Sequence, residues 1–126
     1  EGDCFNIYII KPDGSGERAL TRNTGADCTW SSTPAWSPDS KWIAYETSAH
    51  GRGYRIAVMA AEGSNARFVT QGGAEGVNDV RPVWSPDGKW IAYSSDRSGG
   101  DGIYIVPAGG GQPRRIDTAG GFDPAW

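Results

Sequence analysis

The sequence lacks the features of a membrane-spanning or nucleic-acid-binding protein. No stretch approaches the roughly 18 consecutive apolar residues that a transmembrane helix needs. The 126 residues carry 15 acidic and 12 basic side chains, with a formal net charge of −3. Lys and Arg form no cluster, which argues against a nucleic-acid partner. The 19 glycines would destabilise helix interiors, which excludes a helical bundle.

Sequence motifs of common enzymes are also missing. There is no Gly-x-Ser-x-Gly nucleophile elbow, phosphate-binding loop, His-Glu-x-x-His helix or EF-hand loop. The only histidine is His50, and no partnered nucleophile accompanies it. No Cys-x-x-Cys occurs, so a thiolate zinc site or redox centre lacks support. We therefore predict a non-enzymatic protein without a metal or other cofactor.

The residues that are abundant indicate an all-β fold. Six Trp accompany the many Gly residues, a combination typical of short strands that pack large rings and turn tightly. The length suits one domain at most, since single domains commonly run to about 100–150 residues.

An internal repeat is the strongest signal in the sequence. Residues 34–45 read PAWSPDSKWIAY and residues 82–93 read PVWSPDGKWIAY, with ten identities in twelve positions at an offset of 48. A third copy starts at residues 124–126, which read PAW. Self-similarity at a fixed period of this size indicates a repeat architecture.

A second block recurs with the first. It reads IYII at residues 7–10, IAVM at 56–59 and IYIV at 103–106, and a Gly-bearing turn and a short segment follow each copy. The repeating unit of about 42–49 residues thus holds four short apolar segments, as a β-propeller blade does. We predict a β-propeller of four-stranded antiparallel blades with strands a, b, c and d, strand a being innermost.

The strands do not add up to a closed ring. Residues 1–21 hold strands c and d of one blade, 22–70 and 71–117 two full blades, and 118–126 strand a of the next. A ring needs about 4–8 blades, so we expect this chain to be part of a six- to eight-bladed propeller in a longer polypeptide. The alternative is a structural segment whose copies assemble into a ring or fibre through open blade edges.

The repeated motif, followed by SSDRSGGDGIY at residues 94–104, resembles the TolB-type β-propeller repeat. This resemblance implies a six-bladed propeller, often periplasmic or extracellular, that serves as a protein-interaction platform. The same repeat also builds propeller domains of larger enzymes, as in prolyl-oligopeptidase-type serine peptidases, and a propeller of a polysaccharide lyase is a related possibility. We expect a non-catalytic scaffold that binds a protein or peptide, with an enzyme's propeller domain as the alternative.

The two cysteines favour an oxidising compartment. Cys4 precedes strand c and Cys28 follows strand d, and these two points lie at the same end of an antiparallel blade. A disulfide between them is therefore feasible, in agreement with a periplasmic or extracellular location. The alternative is a pair of free thiols in a cytosolic protein.

One face of the predicted disc carries the candidate binding residues. Because strands alternate in direction, the long b–c and d–a loops share this face, and such loops are the usual place for recognition. Trp30 is either an exposed anchor or a plug over the disulfide hairpin. Arg81 and Asp123, like Thr33, precede the strand-a prolines, so we expect them to approach the channel. There they either hold an ion, a carboxylate or a peptide terminus, or pair with each other or with water. The candidates are Trp30, His50, Arg52, Arg97, Asp101, Arg81 and Asp123.

A calcium site is the alternative use of two carboxylates in the second b–c loop. Asp96 and Asp101 flank this Gly-rich stretch. We expect them to accept backbone N–H bonds, because calcium requires six or more oxygen ligands.

Overall fold

The computed structural model describes residues 4–24, 28–49, 52–70, 76–97, 99 and 101–116. Within these residues the regular structure consists of short β-strands, and no helix is long and apolar enough to cross a membrane. The strands are β1 (Tyr8–Ile9), β2 (Arg18–Ala19), β3 (Thr29–Trp36), β4 (Trp42–Ala49), β5 (Arg52–Ala60), β6 (Arg67–Phe68), β7 (Asp79–Trp84), β8 (Trp90–Ser95), β9 (Gly102–Pro107) and β10 (Arg114–Arg115).

The strands form one two-stranded and two four-stranded antiparallel sheets. We call β1–β2 the half-blade, β3–β4–β5–β6 the first blade and β7–β8–β9–β10 the second blade. In each blade the sheet order follows the chain order, so β3 and β7 are strand a, and β6 and β10 are strand d. This confirms the predicted all-β propeller fold. The last predicted strand a, in residues 118–126, lies outside the described residues.

The repeated Ser-Pro-Asp motif builds the turn between strands a and b. Ser37 Oγ donates to Asp39 Oδ1 at 2.6 Å, and the same carboxylate oxygen accepts the Lys41 N–H at 3.0 Å. The Trp42 N–H in turn donates to Ser37 Oγ at 3.0 Å. The second blade repeats these bonds around Ser85. The motif is therefore turn-forming.

The third turn residue differs between the two copies. Gly88 has a φ of 73° and Ser40 a φ of 61°, so both adopt the left-handed conformation that favours glycine. Ser40 therefore carries a mild backbone strain that Gly88 avoids.

Each inner strand contains a bulge before its proline. The register shifts between Ser32 and Ala35 in β3 and between Val80 and Val83 in β7. Within the bulges, Thr33 has a φ of 48° and Arg81 a φ of 57°, which is unusual for residues with a side chain. Both side chains are exposed.

Two apolar cores lie between the sheets. One joins the half-blade to the first blade, with Ile7 packed among Ile43, Tyr45, Ala57 and Met59. The other joins the two blades, and its members are Ala44, Ile56, Val58, Val69, Trp84, Ile91, Tyr93, Tyr104 and Val106. Trp84, Tyr93 and Tyr104 thus fill part of the space between the two blades.

Polar contacts also link successive sheets. Trp84 Nε1 of the second blade donates to the Ala35 carbonyl of the first at 3.0 Å. Arg67 Nη2, from strand d of the first blade, donates to the Ala108 carbonyl of the second at 2.9 Å. The first bond joins the two inner strands, and the second joins strand d of the first blade to the turn between strands c and d of the second.

Candidate binding face

Strand pairing places the b–c and d–a connections at one end of the blades. Thr29 pairs with Ala49, and Asp79 pairs with Ser95, so the starts of β3 and β7 lie beside the ends of β4 and β8. We call this end, together with the starts of β5 and β9, the loop face. The a–b turns lie at the opposite end.

An ion pair fixes the start of the second b–c loop. Asp79, at the first position of β7, is fully buried. Arg97 Nη2 donates to its two carboxylate oxygens at 2.7 and 2.8 Å, while Arg97 Nε donates to Ser95 Oγ at 3.0 Å. A charge-assisted pair of this kind holds the loop against strand a.

The same arginine covers two tyrosine rings. Its guanidinium carbon lies 5.7 Å from the centroid of the Tyr93 ring and 5.1 Å from that of Tyr104. Burial acts to lower the pKa of Arg97, but the hydrogen bond and charge of Asp79 outweigh it and raise the pKa. Burial, supported by the Asp79 charge, also raises the pKa of Tyr93. The site therefore keeps Arg97 cationic and Tyr93 neutral.

A second polar link joins this loop to the first blade. Asp96 accepts the Asn78 N–H at 2.8 Å and the Asn78 side-chain amide at 3.0 Å. Asn78 Oδ1 in turn accepts the Tyr54 N–H of β5 at 3.1 Å. Burial acts to raise the pKa of Asp96, but the two Asn78 bonds outweigh it and lower the pKa. Asp96 therefore accepts a backbone N–H hydrogen bond, which is the role that the sequence analysis predicted for it.

Glu46 supports the inner edge of the face. This side chain extends from β4 of the first blade to the bulge of the second, where its Oε2 accepts the Arg81 N–H at 2.9 Å. Its Oε1 accepts the Ser32 hydroxyl at 3.0 Å. Glu46 is not among the candidate residues predicted from the sequence. The difference between the repeats could have identified it, because the residue after Trp-Ile-Ala-Tyr is Glu46 in one repeat and Ser94 in the other.

The predicted disulfide and its neighbouring aromatic residue lie at the half-blade. Cys4 and Cys28 are bonded, with their Cα atoms 5.5 Å apart. Trp30 is half-buried and packs edge-to-face on Phe5, with ring centroids 5.3 Å apart. Phe5 directly follows Cys4 in the chain, and the role of Trp30 as an anchor or a plug stays a prediction.

Of the other predicted residues, those that the structure describes lie along the loop face. Arg81 and Asp101 are exposed, and Arg97 lies in the ion pair described above. Arg52 starts β5 opposite Ala49. His50 and Asp123 lie outside the described residues. Within the described residues, no group of three or more His, Cys, Asp or Glu side chains is arranged to hold a metal ion.

A cleft of about 300 Å³ between the two blades lies at the a–b turns. Trp42 and Trp84 line it, together with Asp39 and Asp87. Hydrogen bonds from Ser37 and Ser85 hold the pKa of these carboxyls below the ordinary value. Both carboxylates thus take part in the turns.

Comparison with known proteins agrees with this architecture. The family model of the TolB beta propeller domain matches residues 29–126. A solved structure assigned as TolB from Agrobacterium tumefaciens has a TM-score of 0.75 and 27% identity, and the match covers 90% of this chain and 38% of that chain. No curated protein matches the sequence.

Two more distant structures show the fold alone. A nidogen/laminin complex gives a TM-score of 0.66 at 17% identity, covering 87% of this chain and 39% of that chain. A puromycin hydrolase gives 0.65 at 23% identity, covering 82% of this chain and 17% of that chain. This chain thus spans well under half the length of each of these relatives. From the matched family model and the blade architecture together, the chain belongs to the TolB β-propeller family.

Proposed function

We propose that this chain is part of a non-catalytic, protein- or peptide-binding propeller of the TolB type that acts in the periplasm or outside the cell. The observation that carries the proposal is the set of contacts in the described part of the loop face. The Arg97–Asp79 ion pair and the Asn78–Asp96 bonds hold Asp96 and Arg97, at the start of the second b–c loop, beside strand a. A surface ordered before binding loses less entropy on association.

The chemistry of the face favours an acidic group on the partner. The Arg97 side chain keeps 24% of its surface exposed, and the exposed Arg81 lies at the inner edge. A partner carboxylate would therefore be attracted to the positive charge that these two side chains give this edge of the face.

The proposed location rests on the disulfide. Cys4 and Cys28 are the only cysteines, and they are paired. Structural disulfides persist mainly in oxidising compartments. The nidogen/laminin complex, though similar in fold alone, illustrates that a propeller of this fold occurs in a complex between proteins.

A crosslinking and affinity experiment tests the proposal. Proteins from an envelope or secreted fraction are captured on the immobilised chain, crosslinked to it and identified. The affinity of each one is then measured for the native chain and for two variants. Arg81→Glu reverses charge on the loop face, and Lys89→Glu makes the same change at the opposite, a–b face. We expect Arg81→Glu to weaken binding at least tenfold and Lys89→Glu to leave it unchanged. Equal binding by both variants and the native chain would contradict the proposal.

The alternative is a propeller domain of a larger enzyme, and the puromycin hydrolase match favours it. A fluorophosphonate probe, which labels active serine hydrolases, distinguishes the two when applied to the full-length protein. If the proposal is right, the probe does not label an active serine in the full-length protein. Labelling that a catalytic-serine inhibitor prevents would support the enzyme alternative.

A further inference from the structure

Gly102, the first residue of β9, leaves room for the Arg115 side chain to lie across strand c. A Cβ atom at this position would be 2.9 Å from Arg115 Nε and 3.0 Å from Arg115 Cζ, so any side chain there would displace the arginine. Residues two apart on a strand share a face, so Gly102 lies on the same side of the second blade as Tyr104. That side is turned toward the first blade, because Tyr104 packs in the core between the two blades.

Arg97 lies on the same side of the same strands. Its guanidinium carbon is 5.1 Å from the centroid of the Tyr104 ring, and its Nε donates to Ser95 Oγ at 3.0 Å. Ser95 is the residue that pairs with Gly102, and the Cβ positions of directly opposite residues are about 5 Å apart. Arg97 and Arg115 are therefore neighbours, and we call them the arginine pair.

The first blade has no such pair. By the repeat, Arg55 and Phe68 stand at the positions of Gly102 and Arg115, and Ala49 stands at the position of the other arginine. The guanidinium carbon of Arg55 lies 4.4 Å from the centroid of the Phe68 ring. The second blade thus supplies a guanidinium group from strand d instead of strand c, and adds a second one from the b–c loop.

Part of the arginine pair is open to a ligand. Arg97 Nη2 donates to both carboxylate oxygens of Asp79, whereas Arg97 Nη1 makes no hydrogen bond within the described part of the chain. The Arg97 side chain is 24% exposed, and Arg115 is exposed. Two guanidinium groups held close together repel each other, and an anion that contacts both relieves this repulsion. The net charge of the whole chain is −3, so the positive charge here is a local feature.

We propose that the arginine pair binds an acidic side chain of the protein partner at the outer part of the loop face. Arg97 Nη1 and the Arg115 guanidinium donate to its carboxylate, and Gly102 keeps open the space that Arg115 occupies. The inference specifies the proposed function, on which it rests for its protein partner. It adds Arg115, which is not among the residues predicted from the sequence, to the binding residues of the face.

A tetraglutamate peptide with blocked ends serves as the probe. It is titrated into the isotope-labelled chain, and NMR follows the Arg97 Nε–H and the Gly102 amide. We expect saturable shifts with a Kd of about 1 mM, and none with a tetraglutamine peptide. Arg115→Gln should weaken binding roughly threefold, the effect of one exposed charge pair. Arg114→Gln is the matched control, because it removes the same charge from the opposite side of β10, and it should bind as the native chain does.

Gly102→Ala tests the geometry without removing a charge. The added methyl group meets only the flexible end of the Arg115 side chain, so the fold should be retained while the guanidinium moves. We expect the affinity for tetraglutamate to fall as it does in Arg115→Gln. Gly109→Ala is the control, because no atom of a non-adjacent residue lies within 4 Å of its added methyl group.

Three results would overturn the proposal: no saturable shift at about 10 mM peptide, equal weakening by Arg114→Gln and Arg115→Gln, or equal affinity of Gly102→Ala and Gly109→Ala. The proposed function is judged separately, on the captured proteins. If a captured protein loses affinity with Arg81→Glu but not with Arg115→Gln, that function stands and the role of the arginine pair is refuted. If the peptide binds as expected but no protein is captured, the anion site is supported and the proposed function fails.

Discussion

Removal of the Arg97 side chain should destabilise the protein strongly, because it isolates a buried charge. Asp79 has no exposed surface, and its two hydrogen bonds come from Arg97. Deleting one partner of a buried ion pair costs about 3–5 kcal/mol. The Arg97 side chain is 24% exposed, so solvent screens part of the interaction and we expect Arg97→Ala to cost about 2–4 kcal/mol.

The first blade supplies the matched control. At the position of Asp79 it has Ser31, which lies 3.2 Å from the Thr47 hydroxyl, and at the position of Arg97 it has Ala49. The double variant Asp79→Ser/Arg97→Ala therefore copies an arrangement that this fold already accommodates. With no buried charge left, it should cost only about 1 kcal/mol.

Urea unfolding followed by circular dichroism measures both effects. The midpoints should fall in the order native chain, double variant, Arg97→Ala, with similar dependence on urea concentration. If Arg97→Ala lies within about 0.5 kcal/mol of the native chain, the pair does not stabilise the loop. If the double variant is as unstable as the single one, the buried charge is not the cause.

Three further effects follow from the described contacts. Cys4→Ser/Cys28→Ser opens a loop with a sequence separation of 24, so calorimetry should show a loss of about 3 kcal/mol, and an unchanged melting temperature would contradict this. Ser40→Gly should stabilise the protein by about 0.5–1 kcal/mol and Gly88→Ser should destabilise it by a similar amount, since both positions have positive φ. If the two variants shifted the melting temperature in the same direction, this explanation would be refuted. The bonds from Asn78 lower the pKa of Asp96, so their stabilisation is present above the unfolded-state pKa and lost as pH falls through the folded-state pKa. Melts between pH 5 and about pH 2 should show a steeper loss for the native chain than for Asp96→Ala, and parallel curves would exclude this contribution.

Local patterns in the sequence predicted the blade architecture. The repeat of Trp-Ser-Pro-Asp and the turn chemistry within it act over a few residues, so the pattern contains the information needed. Ser37 and Asp39 bond only to neighbours within the turn. Strand direction made the Cys4–Cys28 disulfide feasible, because the two flanks of an antiparallel hairpin lie at the same end of the blade, and the bond is present.

The candidate site was less accessible to sequence reasoning because its contacts cross between blades. Glu46 and Arg81 are 35 residues apart, and nothing in either segment indicates the other. The position of Trp30 outside the repeat left two roles open, an exposed anchor or a plug, because the sequence does not show that its ring packs on Phe5, which precedes β1. Such contacts depend on how sheets stack, which periodicity does not specify.

The repeats differ in two ways: in the exposure of equivalent residues, and in the identity of equivalent residues. The two kinds of difference have different causes. Trp36 and Trp84 have the same local sequence but 49% and 8% exposure, so their difference reports which sheet lies alongside. Asp79 and Ser31 occupy the same position in equally paired strands, so their difference belongs to the sequence itself. A binding surface that distinguishes one blade from another must use differences of the second kind. The loop face contains them, whereas the a–b turns repeat almost without change.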